Sequence, residues 1–131
     1  DGSVITWGDP NNGGDSAAVK GSLQSDVANI FSTQGAFAAL KSDGSVITWG
    51  DTDYGGDSAA VQGSLQSGVT HIYSTEGAFA AVKSDGSVIT WGDPNNGGDS
   101  AAVKGSLQSD VANIFSTQGA FAALKSDGSV I

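Results

Sequence analysis

The chain repeats with a period of 42 residues. Asp1–Ser42, Asp43–Ser84 and Asp85–Ser126 each open on Asp-Gly-Ser-Val-Ile-Thr-Trp-Gly, and Asp127–Ile131 begins a fourth copy. Such a period outranks every local motif, because a short unit buries its apolar face only by stacking on its neighbours. The first and third copies are identical. The middle copy differs at ten positions: Pro10/Thr52, Asn11/Asp53, Asn12/Tyr54, Lys20/Gln62, Asp26/Gly68, Ala28/Thr70, Asn29/His71, Phe31/Tyr73, Gln34/Glu76 and Leu40/Val82. An active site gathers unlike residues at one place, whereas here nearly every side chain is offered three times. The pattern therefore points to architecture before chemistry.

Within one unit the signals are those of an all-β chain. Ala36–Lys41 and Ser45–Gly50 flank Ser42-Asp43-Gly44, and Asp-Gly between apolar runs is a strong hairpin signal because both residues tolerate the positive φ of a type I′ turn. The hairpin recurs at Ala78–Gly92. With Asp43-Gly44 as a two-residue loop, Lys41 pairs with Val46, Leu40 with Ile47, Ala39 with Thr48 and Ala38 with Trp49. Leu40, Ile47, Ala38 and Trp49 then share one face; Phe37, Ala39, Val46 and Thr48 share the other. Both faces are apolar or small, as in a sheet covered on two sides. A third strand is expected at Val27–Thr33 and a weak fourth at Ser16–Lys20. Long helices are not expected, since glycines interrupt every short alanine-rich run.

The run Ala36-Phe37-Ala38-Ala39-Leu40-Lys41-Ser42-Asp43-Gly44-Ser45-Val46-Ile47-Thr48-Trp49-Gly50, followed by Asp51–Gly56 and Val69-Thr70-His71-Ile72, resembles the blade repeat of RCC1-like β-propellers. The likeness covers most of each unit and rests on Leu-x-x-Asp-Gly-x-Val-x-x-Trp-Gly. Two features depart from the family: Gly55-Gly56-Asp57-Ser58 replaces its usual Gly-Gln-Leu-Gly, and the unit is shorter. The resemblance implies a blade scaffold and carries over no exchange-factor or chromatin function. Three blades cannot close a ring that normally needs four to eight. The expectation is therefore a homo-oligomer, a dimer with six blades. In it the N-terminal strand of one chain completes the last blade of another and displaces residues 127–131. The competing architecture is a β-trefoil monomer, which also uses three repeats of about this length. Asp1 falls at the hairpin turn, between two strands that pair in the later copies, so an excised or engineered fragment is expected.

Composition restricts partners. Fourteen acidic residues face five lysines and no arginine, for a net charge of −9, which repels nucleic acid and anionic membranes. No apolar run approaches the length of a membrane span. The absence of cysteine removes disulfide and thiol chemistry without fixing a compartment; an extracellular or surface setting is the expectation for a parent protein.

Four groups of residues invite a chemical reading. Asp51-x-Asp53-x-Gly55-Gly56-Asp57 has oxygen ligands at alternate positions, as a calcium loop does, yet Gly occupies the fifth position and no acidic residue closes the loop. The alternative is an Asx-rich turn. Trp7, Trp49 and Trp91 hold one phase of the repeat, either as core packing or as a row stacking on a glycan or peptide ligand. His71 is the only histidine and Glu76 the only glutamate, so neither builds a repeated catalytic or zinc site. Gly8-x-x-x-x-Gly13-Gly14 lacks the Lys-Ser/Thr of a phosphate loop. These residues indicate a non-enzymatic scaffold or interaction module, with a lectin-like or calcium-dependent binding module as the rival. The variant positions direct attention to Pro10–Asn12 and Asp26–Gln34.

Overall fold

The computed structural model describes residues 1–131, and in it the strands form three separate antiparallel sheets. The first contains β1 (Val27–Ser32), β2 (Ala36–Lys41) and β3 (Val46–Gly50); the second contains β4 (Val69–Ser74), β5 (Ala78–Lys83) and β6 (Val88–Gly92). The third has only β7 (Val111–Ser116) and β8 (Phe121–Lys125), with Val130 adding one bridge to Leu124. Each sheet straddles a boundary between sequence repeats, because the hairpin turn is where the repeat begins. The all-β repeat expectation is met. The strands do not close into the barrel that a β-trefoil requires, since no strand ladder joins one sheet to the next.

The hairpin register differs by one residue from the sequence expectation. Gly44 takes a left-handed φ of +83° while Asp43 does not, so the type I′ turn, which needs positive φ at both residues, is absent. The loop instead has three residues. Lys41 N–H donates to Ser45 O at 2.9 Å, and Gly44 N–H donates to Lys41 O at 3.0 Å. Asp43 Oδ1 accepts from the Ser45 amide at 2.9 Å and the Ser45 hydroxyl at 2.6 Å, a local bond that favours this longer turn. Leu40 now opposes Val46, Ala39 opposes Ile47, Ala38 opposes Thr48 and Phe37 opposes Trp49. Because side chains alternate with period two, the slip regroups the faces. Ala36, Ala38, Leu40 and Val46 share one; Phe37, Ala39, Ile47 and Trp49 share the other.

This regrouping explains the packing. The small-residue face of one sheet receives the aromatic face of the next: Ala36, Ala38, Leu40 and Val46 form one core with Phe79, Ala81 and Trp91. Alanines on one side leave the depth that a Phe and a Trp fill on the other, which keeps the interior close-packed. Ala80 and Val88 of the second sheet meet Ile114 and Ala123 of the third in the same way.

The connections are 3-10 turns. Ser16–Lys20 was expected to hold a weak strand, but Ala17–Leu23 is a 3-10 segment, as are Ala59–Leu65 and Ala101–Leu107. Asp15 Oδ1 accepts from the Ala17 amide at 2.9 Å and turns the chain out of an extended path. Each segment ends by burying one leucine, Leu23, Leu65 or Leu107. The strand expected at Val27–Thr33 is β1, which carries an irregularity between Val27 and Asn29.

Candidate interaction surfaces

The tryptophans form no surface row, which corrects the reading of Trp7, Trp49 and Trp91 as a shared stacking platform. Trp49 and Trp91 are 5% and 4% exposed, Trp91 between the first and second sheets and Trp49 between the first sheet and residues 4–23, whereas Trp7 is 84% exposed. The difference follows from strand pairing. Trp49 stacks on its cross-strand partner Phe37 and Trp91 on Phe79, with centroids 5.4 Å apart in both. Their indole N–H groups donate to the carbonyls of Gly13 at 3.1 Å and Gly55 at 3.2 Å. The eight residues around Trp7 are identical in sequence to those around Trp49 but are not paired with a hairpin partner.

Asp1–Gly8 is nevertheless held in a strand-like place. Val27 N–H donates to Gly2 O and Val4 N–H to Leu23 O, at 3.0 and 2.9 Å. Val69 N–H meets Gly44 O and Val111 N–H meets Gly86 O in the same manner. Thr6 Oγ1 reaches Ser16 Oγ at 2.8 Å, as Thr48 reaches Ser58 and Thr90 reaches Ser100. The segment thus occupies the position of a sheet's third strand, with Ile5 and Trp7 facing solvent.

The other end shows the reciprocal gap. Beside β8 lies a cavity of about 190 Å³ lined by Ala80, Val88, Gly97, Ile114, Phe121 and Ile131 among others. Gly97 and Phe121 are the repeat equivalents of Gly55 and Phe79, which enclose Trp91. Phe79 is fully buried while Phe121 is only partly so, and Ala120 is exposed where Ala36 and Ala78 are buried.

Two kinds of polar contact also step from repeat to repeat. Thr33 Oγ1 donates to Tyr54 O at 2.8 Å and Thr75 Oγ1 to Asn96 O at 2.7 Å; exposed Thr117 makes no equivalent bond. Gln34 N–H donates to Glu76 O at 2.8 Å, and Glu76 N–H to Gln118 O at 2.9 Å. This relay leaves Gln118 N–H and Gln34 O at its two ends. At the variant position 34/76/118 the contact between repeats is thus made by the backbone. A second variant strip runs across the first strands of the sheets. The Phe31 and His71 rings stand 5.3 Å apart, His71 and Tyr73 4.5 Å apart, and Tyr73 Oη lies 2.9 Å from Asn113 Oδ1.

The aspartates considered for calcium are not brought together. Asp51 Oδ1 accepts from the Asp53 amide and Asp57 Oδ1 from the Ala59 amide, both at 2.9 Å. No group of three carboxylates or imidazoles stands at metal-holding distance anywhere in the chain. Asp51 and Asp57 are spent on starting 3-10 turns, and Gly55, at φ +101°, turns the chain between them. Ser45 holds the Asp43 carboxyl below its ordinary value, through its hydroxyl first and its amide second; Ser87 and Ser129 do the same for Asp85 and Asp127. These groups fasten turns and face no cleft. Lys41, Lys83 and Lys125 are likewise engaged, each Nζ bonding to a carbonyl of the preceding 3-10 segment.

No family model matches the chain, and none of the curated proteins matches it. The interaction surfaces were only partly visible in the sequence. The Trp-Gly phase suggested a buried indole, but the carbonyls of Gly13 and Gly55 that receive it lie 36 residues earlier and carry no side-chain signal.

Proposed function

We propose that the chain is a non-enzymatic structural scaffold and interaction module that self-assembles by β-strand pairing. Its sheets act as RCC1-like propeller blades, and two chains together supply six. The observation that carries this reading is the third sheet: β8 pairs with β7 along its length, but its other edge is held only by the short segment Ser129–Ile131, against Ala123–Lys125. An edge left so thinly paired, with apolar neighbours, is a template for another strand. Asp1–Gly8 is the matching element, a third strand without a hairpin. Repetition supports the non-enzymatic part, since nearly every side chain recurs at equivalent positions and unlike residues are not gathered at one place.

Native mass spectrometry of a mixture of isotope-labelled and unlabelled chains tests the proposal. A hybrid species of intermediate mass, at the two-chain stoichiometry, is the expected result. Spectra holding only the two monomer masses at every concentration would refute it.

A further inference from the structure

Resting on that reading, we infer that the cavity beside β8 is the binding site for one particular side chain, Trp7 of a second copy. The chain supplies its own precedent twice. Trp49 fills the space defined by Phe37 and Gly13, and Trp91 fills the space defined by Phe79 and Gly55. Phe121 and Gly97 define the third such space, and it stands open at about 190 Å³. Asp127–Ile131 reaches the edge of this space with Ile131, the counterpart of Ile47 and Ile89, and places no indole in it.

Register follows from the two complete sheets. Val82 opposes Val88, Ala81 opposes Ile89, Ala80 opposes Thr90 and Phe79 opposes Trp91. On β8 the same pairing sets Leu124 against Val4 of a second copy, and Phe121 against Trp7 of a second copy. The indole N–H then donates to Gly97 O. Asp127–Ile131 gives way, because it holds β8 by few bonds: Lys125 N–H to Ser129 O and the reciprocal pair between Ala123 and Ile131.

The interface continues the internal one beyond this anchor. Thr117 Oγ1 takes the acceptor that Thr33 and Thr75 already have, which in a second copy is Asn12 O. The relay of Gln34, Glu76 and Gln118 extends as Gln118 N–H donates to Gln34 O of a second copy. Three blades do not close on themselves, and Val4 and Gly2 are tied to the first repeat, so the occupant is a second copy and not the same chain. With two copies the exchange is reciprocal and both cavities fill.

Because Trp7 is 84% exposed within one chain, Trp7→Ala removes the plug without touching the fold. Below the dissociation concentration its melting temperature should equal that of the unaltered chain. Its dissociation constant, from sedimentation equilibrium, should rise by about 30-fold or more, the loss typical of a buried aromatic anchor. Trp7→Phe should fall between the two. With 5-fluorotryptophan incorporated, the 19F resonance of Trp7 should lose its solvent isotope shift as concentration rises. Undiminished assembly of Trp7→Ala would overturn the assignment of Trp7 while leaving self-assembly intact. A monomer at all concentrations would remove both proposals. A monomer in which Trp7 is protected would overturn the second copy as occupant.

Discussion

The same eight-residue sequence places one tryptophan in water and two in the core, and this difference yields a sharp comparison of substitutions. Trp91 is 4% exposed, and an aromatic of its size removes roughly 150–250 Å² from water. At about 25 cal/mol per Å² the burial is worth about 4–6 kcal/mol. Trp91→Ala also leaves the Gly55 carbonyl without its donor, which costs about 1–3 kcal/mol if water does not replace it. Substitutions of buried Phe or Trp by Ala cost about 3–5 kcal/mol, so ~5 kcal/mol is the expected loss. Trp7→Ala should cost less than ~0.5 kcal/mol in the isolated chain, as exposed substitutions do. Urea unfolding followed by far-ultraviolet circular dichroism, at a concentration that keeps the chains apart, measures both. Domains are stable by only about 5–15 kcal/mol, so Trp91→Ala approaches unfolding. Trp91→Phe, which keeps a ring over Phe79 and loses the donor, provides a milder point at about 1–3 kcal/mol. Equal losses for Trp91→Ala and Trp7→Ala would refute the sheet-on-sheet core described above.

Other substitutions probe the remaining joints. Thr75 is buried, donates to Asn96 O and accepts from the Ala78 amide at 3.1 Å; Thr75→Val should cost about 2 kcal/mol, and no change in the urea midpoint would show those bonds to be dispensable. A Cβ at Gly56 would stand on the carbonyl of Gly50, so Gly56→Ala should destabilise the chain by more than ~1 kcal/mol through backbone displacement, whereas Gly63→Ala, with open space around it, should not; matching melting temperatures for the two variants would contradict this. The Asp43 and Asp85 carboxyls lie below the ordinary 3.8 because the Ser45 and Ser87 hydroxyls and amides bond their charged forms. A lowered folded-state value stabilises the chain above the unfolded value, near pH 4, and that contribution disappears as pH falls through the lowered one. The double variant Asp43→Asn and Asp85→Asn should therefore show a shallower loss of stability below about pH 4; an unchanged acid profile in urea titrations would be the contrary result.

Much of this organisation was legible because it depends on periodicity. The 42-residue phase defined the units, and the Asp-Gly turns located the hairpins. The register was not legible, because Asp-Gly fits both a two-residue and a three-residue loop. The hydrogen bonds of Ser45 to Asp43 chose between them. The 3-10 segments read as weak strand because Ala-Ala-Val has no helical period of its own, and their shape is imposed by Asp15 and by the burial of Leu23. The calcium-like spacing has a second use that the sequence alone does not separate from the first: alternating aspartates suit a cation, and the same carboxylates cap backbone amides two residues on. Trp7 shares the phase of Trp49 and Trp91, but no Ala-Phe-Ala-Ala run precedes it to supply the cross-strand Phe, so the shared phase alone misplaced it.

The most direct test of the account is the solution mass measured by light scattering across a concentration series. It predicts a concentration-dependent rise from the 13.0 kDa chain to a plateau at twice that value, and tighter association at higher salt, since each chain carries a net charge of −9 and screening relieves their repulsion. A compact species that remains at 13.0 kDa throughout the series would contradict it.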